Sequence, residues 1–101
     1  MALTFEDHVR RALDSLPSEI AQKLENIAVV IEDEHPDDPD LLGLFEEQAY
    51  MPAKVTIYRL PLQETFADPA ELEDEIRITV LHELAHYFGF DEDRIAELGY
   101  D

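Results

Sequence analysis

The sequence contains no cysteine and few basic residues, seven Lys and Arg together against 25 Asp and Glu. Without cysteine there is neither a disulfide nor a thiolate-ligated metal, which fits a reducing compartment, so the cytoplasm is the expected location. The formal net charge of -18 repels phosphate backbones and anionic lipid. Neither nucleic acid nor a membrane surface is therefore an expected partner. The same field draws in basic peptides, although solubility is reason enough for an acidic surface. Long hydrophobic runs are missing too. The opening MALTFEDHVRRALDSL lacks the apolar stretch of a signal peptide, and nothing later has the length of a membrane span. The 101 residues are expected to form one domain, 1–101, with a single core and no room for a separate substrate-binding domain. Nothing in the chain speaks to an oligomeric state.

What the chain does have is periodicity. Phe5, Val9, Ala12, Leu13 and Leu16 recur at helical spacing, with Thr4 or Asp7 as a cap, and predict a helix over 4–16. His8, Arg10 and Arg11 are expected on its solvated side. Ser18 is the expected cap of a short helix ending near Glu25. The β-branched run from Asn26 to Glu32 predicts a buried strand. The acidic, proline-broken stretch 32–40 cannot be core. It lacks the spacing of a calcium loop, and is read as a solvated loop forming one rim of a cleft, with His35 a minor candidate for substrate contact. Leu41–Phe45 is expected to be a short strand or turn, followed by a loop in which Tyr50 and Met51 line a pocket. Lys54–Leu60 alternates as a strand does, with Val55 and Ile57 on one face and Thr56 and Tyr58 on the other. It is the candidate edge for pairing with an extended ligand. Pro61–Phe66 is expected to make one helical turn. Asp68, Pro69 and Glu71 then form a helix start, and the pattern predicts one long helix to Phe88, with Leu72, Ile76, Val80 and Leu84 as its core stripe.

The second half of that helix carries LHELAHYFG, from Leu81 to Gly89. His82 and His86 are four residues apart, so on a helix they share a face and both imidazoles can turn to one metal ion. Glu83 is rotated about 100° from His82, badly placed as a third ligand and well placed to reach water at the metal. This is the HExxH arrangement, with two ligands and a general base. Gly89 can end the helix in a left-handed conformation and turn the chain back. Glu92, ten residues after His82, stands where the longer HExxHxxGxxH pattern has its third ligand, flanked by Asp91 and Asp93. Carboxylate oxygen is a suitable zinc ligand. The expected site is thus one Zn2+ held by His82, His86 and Glu92, with Asp93 or Asp91 as alternative third ligands. Two imidazoles and a carboxylate also suit other divalent ions.

HELAHYFGFDEDRIAEL, with the upstream LLGLFE and VTIYRLPLQ, resembles the small bacterial zincin-like metallopeptidase family. The resemblance runs from about Leu41 to Leu98. It implies a zincin-like α+β fold: a small, mostly antiparallel or mixed sheet packed on the long motif helix, with an amino-terminal helix. By position it makes His82 and His86 ligands and Glu83 the base, and it implies one zinc ion and hydrolysis of peptide bonds through a metal-activated water. An aspartate is usual at the third-ligand place of that family, where Glu92 stands here. Tyr87, Tyr50, Tyr58 and Arg94 are candidate oxyanion partners, Arg94 being the better candidate for pairing with the acidic ligands. Both methionines precede the motif, so there is no Met-turn and the chain is not an ordinary metzincin. The expected activity is a zinc-dependent peptidase acting on peptides or proteins. The alternatives are a zincin-like metal-dependent ribonuclease, against which Glu83 and the acidic surface argue, and a metal-binding interaction module with little catalysis.

Overall fold

The computed structural model describes residues 3–89 together with Asp93 and Glu97. Among them the elements run α1 (Phe5–Asp14), α2 (Ser18–Leu24), β1 (Ile27–Glu32), β2 (Gly43–Glu46), β3 (Ala53–Tyr58), α3 (Arg59–Thr65) and α4 (Pro69–Phe88). The sheet is mixed, in the order β1-β3-β2. β1 runs parallel to β3, with Val29 opposite Val55 and Ile31 opposite Ile57. β2 runs antiparallel to β3, with Gly43 opposite Ile57 and Phe45 opposite Val55. This is the α+β architecture expected, a small sheet on a long helix. No helix among the described residues is long and apolar enough to cross a membrane.

The helices start where their chemistry allows. Thr4 caps α1 in a full capping box: its hydroxyl accepts from the Asp7 N–H, and the Asp7 carboxylate accepts from the Thr4 N–H. These bonds to Thr4 hold the Asp7 carboxyl below its ordinary value of 3.8. The box therefore persists at neutral pH and is lost only as pH falls through the lowered pKa. Asp68 accepts from the Glu71 N–H at 3.1 Å and opens α4. Gly89, at φ 74°, takes the left-handed conformation expected just past Phe88. Pro61 lies in the first turn of α3, where its missing N–H costs nothing.

Several expectations need correction. Ser18 is the first helical residue of α2 and Pro17 occupies the cap position. β1 is an edge strand, with Ala28 exposed and Val29, Val30 and Ile31 half-buried. Its continuous β-branched run answers to high strand propensity rather than to burial on both faces. β3, the candidate edge, is the central strand, and Val55, Thr56, Ile57 and Tyr58 are all buried in it. Its ladder bonds are taken on both sides, so an added ligand strand cannot pair there. Tyr50 and Met51 point into solvent at the β2–β3 loop, Tyr50 with φ 64°, and line none of the described cavities. Past Gly89, Asp93 and Glu97 are helical and exposed; the other residues of 90–101 lie outside the described residues.

His8 is the other departure. It is buried against α4, with Nδ1 2.6 Å from Glu73 Oε2, while Arg11 reaches Glu73 Oε1 at 3.2 Å. Arg77 returns the link from α4, donating to the Ser15 hydroxyl and to Asp74. The apolar stripe of α1 packs on Leu72, Ile76 and Val80 within one core cluster, and these polar contacts lie along its border. The imidazole is placed inside because the packing of α1 on α4 rolls that flank of the helix inward, where a carboxylate can meet it. Glu73→Ala leaves a buried ring nitrogen without its partner and is expected to cost about 1–3 kcal/mol. The check is a lowered urea midpoint at unchanged slope.

Candidate metal centre

α4 is continuous over 20 residues, from Pro69 to Phe88, and that continuity arranges the motif. Leu81, Leu84 and Ala85 are fully buried on the core side. His82 and Glu83, between them in sequence, are half-buried on the other side. His86 falls one turn beyond His82 on the same helix face. Its side chain, and Asp91, Glu92 and Arg94, lie outside the described residues; Asp93 is exposed. Among the described residues no three His, Asp or Glu side chains gather as a metal cluster. Of the expected ligand set, His82 alone is open to a geometric test.

His82 has an uncommon environment. Its Nε2 is buried and has no hydrogen-bond partner among the described residues. An orphaned polar atom of this kind ordinarily costs about 1–3 kcal/mol. A structural histidine inside a helix would be expected to find a carbonyl or a carboxylate; a ligand nitrogen is left without one, because the metal is its partner. The residue therefore fits the ion that the motif implies.

His82 and Glu83 line a cleft of about 500 Å³ between α4 and the β1–β2 loop, and Asp38, Asp40 and Glu75 face into it. The acidic loop is thus a rim of the cleft, as its composition implied. The cleft's described lining carries no Lys or Arg. Coulomb attraction from several carboxylates favours a divalent cation at the imidazole and weakens slowly with distance in such a half-buried setting. A groove of about 530 Å³ elsewhere is slightly larger and is lined by Glu19, Lys23 and Phe88 among others, but it holds neither His82 nor Glu83. The donor atoms decide for the smaller one.

The strand beside this cleft is β2. Gly43 lies against Thr79 and Glu83, and Phe45 stacks on Tyr87 with ring centroids 4.2 Å apart. A model of the zincin-like metallopeptidase family matches residues 24–100. The chain belongs to that family. No curated protein sequence matches it. Membership makes it a relative of metal-dependent peptidases and implies a zinc ion in general terms, consistent with the fold and with a His82 Nε2 that has no partner among the described residues.

The candidate oxyanion partners separate in space. Tyr87 is on α4, one turn after Glu83, half-exposed and stacked on Phe45. Tyr58 is on the sheet face opposite Val55 and Ile57, edge-on to His35 at 5.8 Å. Burial pushes its phenol above the ordinary 10, and the carboxylates of Glu32 and Glu46 add to the shift, so it stays neutral through the physiological range. His35 is occupied locally, its Nδ1 accepting from the Asp37 N–H at 3.0 Å. Tyr50 is remote in exposure and direction. The contacts of Gly43, Thr79 and Glu75 were not anticipated from sequence, although Thr79, Glu83 and Tyr87 stand at i, i+4 and i+8 and so share a stripe.

Adding zinc to the metal-free protein is expected to raise its stability, by about 2.7 kcal/mol at a hundredfold excess over the dissociation constant. His82→Ala should remove most of that gain, which thermal unfolding with and without metal and chelator will show.

Proposed function

We propose that the protein is a zinc-dependent peptidase that cleaves extended, basic peptides, with Glu83 as general base. The observation that carries this is a buried Nε2 on His82, without a partner among the described residues, next to a carboxylate at the following position, both on one open cleft. His82, His86 and an acidic residue from beyond Gly89, Glu92 first, would hold the ion. A zinc ion supplies positive charge that acidifies water and polarises a carbonyl.

Glu83 would take the proton of the attacking water and deliver it to the leaving amine. Ionised, a carboxylate only accepts hydrogen bonds; once protonated it can donate, so one group serves both halves of the reaction. The buried core side of α4 holds Glu83 on a rigid element, which limits the reorganisation needed at each turnover. β2 supplies the orienting edge. It pairs with β3 on one side, and its other edge is unpaired among the described residues. A peptide laid there gains main-chain hydrogen bonds by strand addition. In zincins generally an edge strand above the motif helix pairs with substrate, and β2 occupies that place. The charge of the cleft selects the side chains: Asp38, Asp40 and Glu75 favour Lys and Arg in the peptide and disfavour phosphate.

The test is cleavage of a mixed peptide library by the zinc-loaded protein. Cuts are expected to cluster in basic peptides and to slow as salt rises. Glu83→Gln should retain zinc and lose roughly 10²- to 10⁴-fold in rate. Cleavage of RNA in place of peptides would support the nuclease alternative. Zinc binding with no cleavage by either protein would support the interaction module.

A further inference from the structure

Gly43 opens the edge strand at the point where β2 comes down on the motif helix. A Cβ there would lie 2.5 Å from Thr79 Cγ2, 3.4 Å from the Thr56 carbonyl oxygen and 3.8 Å from Glu83 Cγ. The first of these is shorter than side-chain carbons tolerate. The requirement is one of space, since Gly43 has no positive φ.

Thr79 cannot readily give way. It is β-branched on a helix, where χ1 has two accessible wells. Its hydroxyl donates to the Glu75 carbonyl at 2.7 Å and selects one of them. The residue is also buried, and turning its methyl away would break the bond to Glu75. Further along the strand, Phe45 is seated on the Tyr87 ring. β2 is therefore gripped at two points along the stripe Thr79–Glu83–Tyr87, and Glu83 lies between them.

We infer that Gly43 is a positioning residue: by having no side chain it lets the edge strand close on Thr79, and so sets the gap between a strand-paired peptide and Glu83. The inference rests on the peptidase reading for its consequence, and on the Gly43–Thr79 contact alone for its geometry. Any side chain at position 43 lifts this end of β2 while Phe45 still holds the other, tilting the edge relative to the base. The nearest neighbours of that Cβ are Thr79, Thr56 and Glu83 and not His82, so metal binding is expected to be preserved.

The test is a cycle of wild type, Gly43→Ala, Thr79→Ser and the double variant. Thr79→Ser keeps the hydroxyl bonded to Glu75 and removes the methyl that a Cβ at 43 would strike. In the metal-free protein, Gly43→Ala is expected to shift the ¹³C resonance of the Glu83 carboxyl and lower the melting temperature, and the double variant to return both toward wild type. With zinc and a basic peptide, Gly43→Ala is expected to lose roughly ten- to a hundredfold in kcat, as sub-ångström misplacement of a reacting group does. KM and zinc affinity should move far less, and the double variant should recover kcat. An unmoved Glu83 resonance in Gly43→Ala, or a double variant no better than Gly43→Ala, overturns the inference. If Gly43→Ala does not fold, recovery of folding in the double variant supports the contact and continued failure overturns it. A wild type that cleaves no peptide refutes the peptidase reading by itself, and the resonance cycle still decides the spacing.

Discussion

Leu72, Ile76, Val80 and Leu84 pack one side of α4 into the core, and His82 and Glu83 leave the same helix toward the cleft. Everything functional in this protein depends on that helix staying helical through residue 88. Were it to fray before Leu84, the turn that relates position 82 to position 86 would go with it. Its integrity comes from both ends and from the middle: the Asp68 cap, the left-handed Gly89, and side chains buried on most of its circumference. α1 adds a lateral tie through His8 and Glu73. The element that completes the core thus also carries the motif.

Electrostatics turns the same economy to advantage. The acidic balance of the sequence is not spread evenly in its consequences. Most carboxylates stand in water, where the Debye length limits their reach to roughly 10 Å. Asp38, Asp40 and the half-buried Glu75 line the cleft that holds His82 and Glu83. Under the proposed function, that lining is what would draw a dication and a cationic peptide to the cleft and turn away the phosphates of RNA.

How much was legible in advance differs by element, and for physical reasons. α4 was read from Pro69 to Phe88 because its cap, its stripe and its stop are all local signals. The body of β3 was read for the same reason, although Arg59 and Leu60, expected at its end, open α3 instead. Its place in the sheet was not, since strand order depends on which elements pack together and leaves little trace in any one segment; Lys54, Thr56 and Tyr58 alternate with apolar residues as an edge strand would. His8 was placed outside because polar residues usually are, and its partner Glu73 is 65 residues away. His82 and Glu83 were legible as a motif with known chemistry. Gly43 was visible only as a glycine interrupting an apolar run, and its meaning required knowing that Thr79 faces it.

The orphaned Nε2 of His82 joins stability to function. A site built to receive a cation has to leave a polar atom unsatisfied in its absence, and a histidine optimised for the metal-free fold would have turned that nitrogen to a carbonyl or a carboxylate. Glu75 is seven residues, about two helical turns, away and lines the same cleft, and no bond to His82 Nε2 forms. Under the proposed function, holding the ring in this orientation costs the metal-free protein free energy that binding would recover. The rigidity of α4 is what makes the cost bearable: with Leu81, Leu84 and Ala85 locked in the core, the helix cannot rotate to bring the ring to another partner. A looser helix would relieve the orphan and lose the site, so the close packing of the core side is a condition of the chemistry on the other.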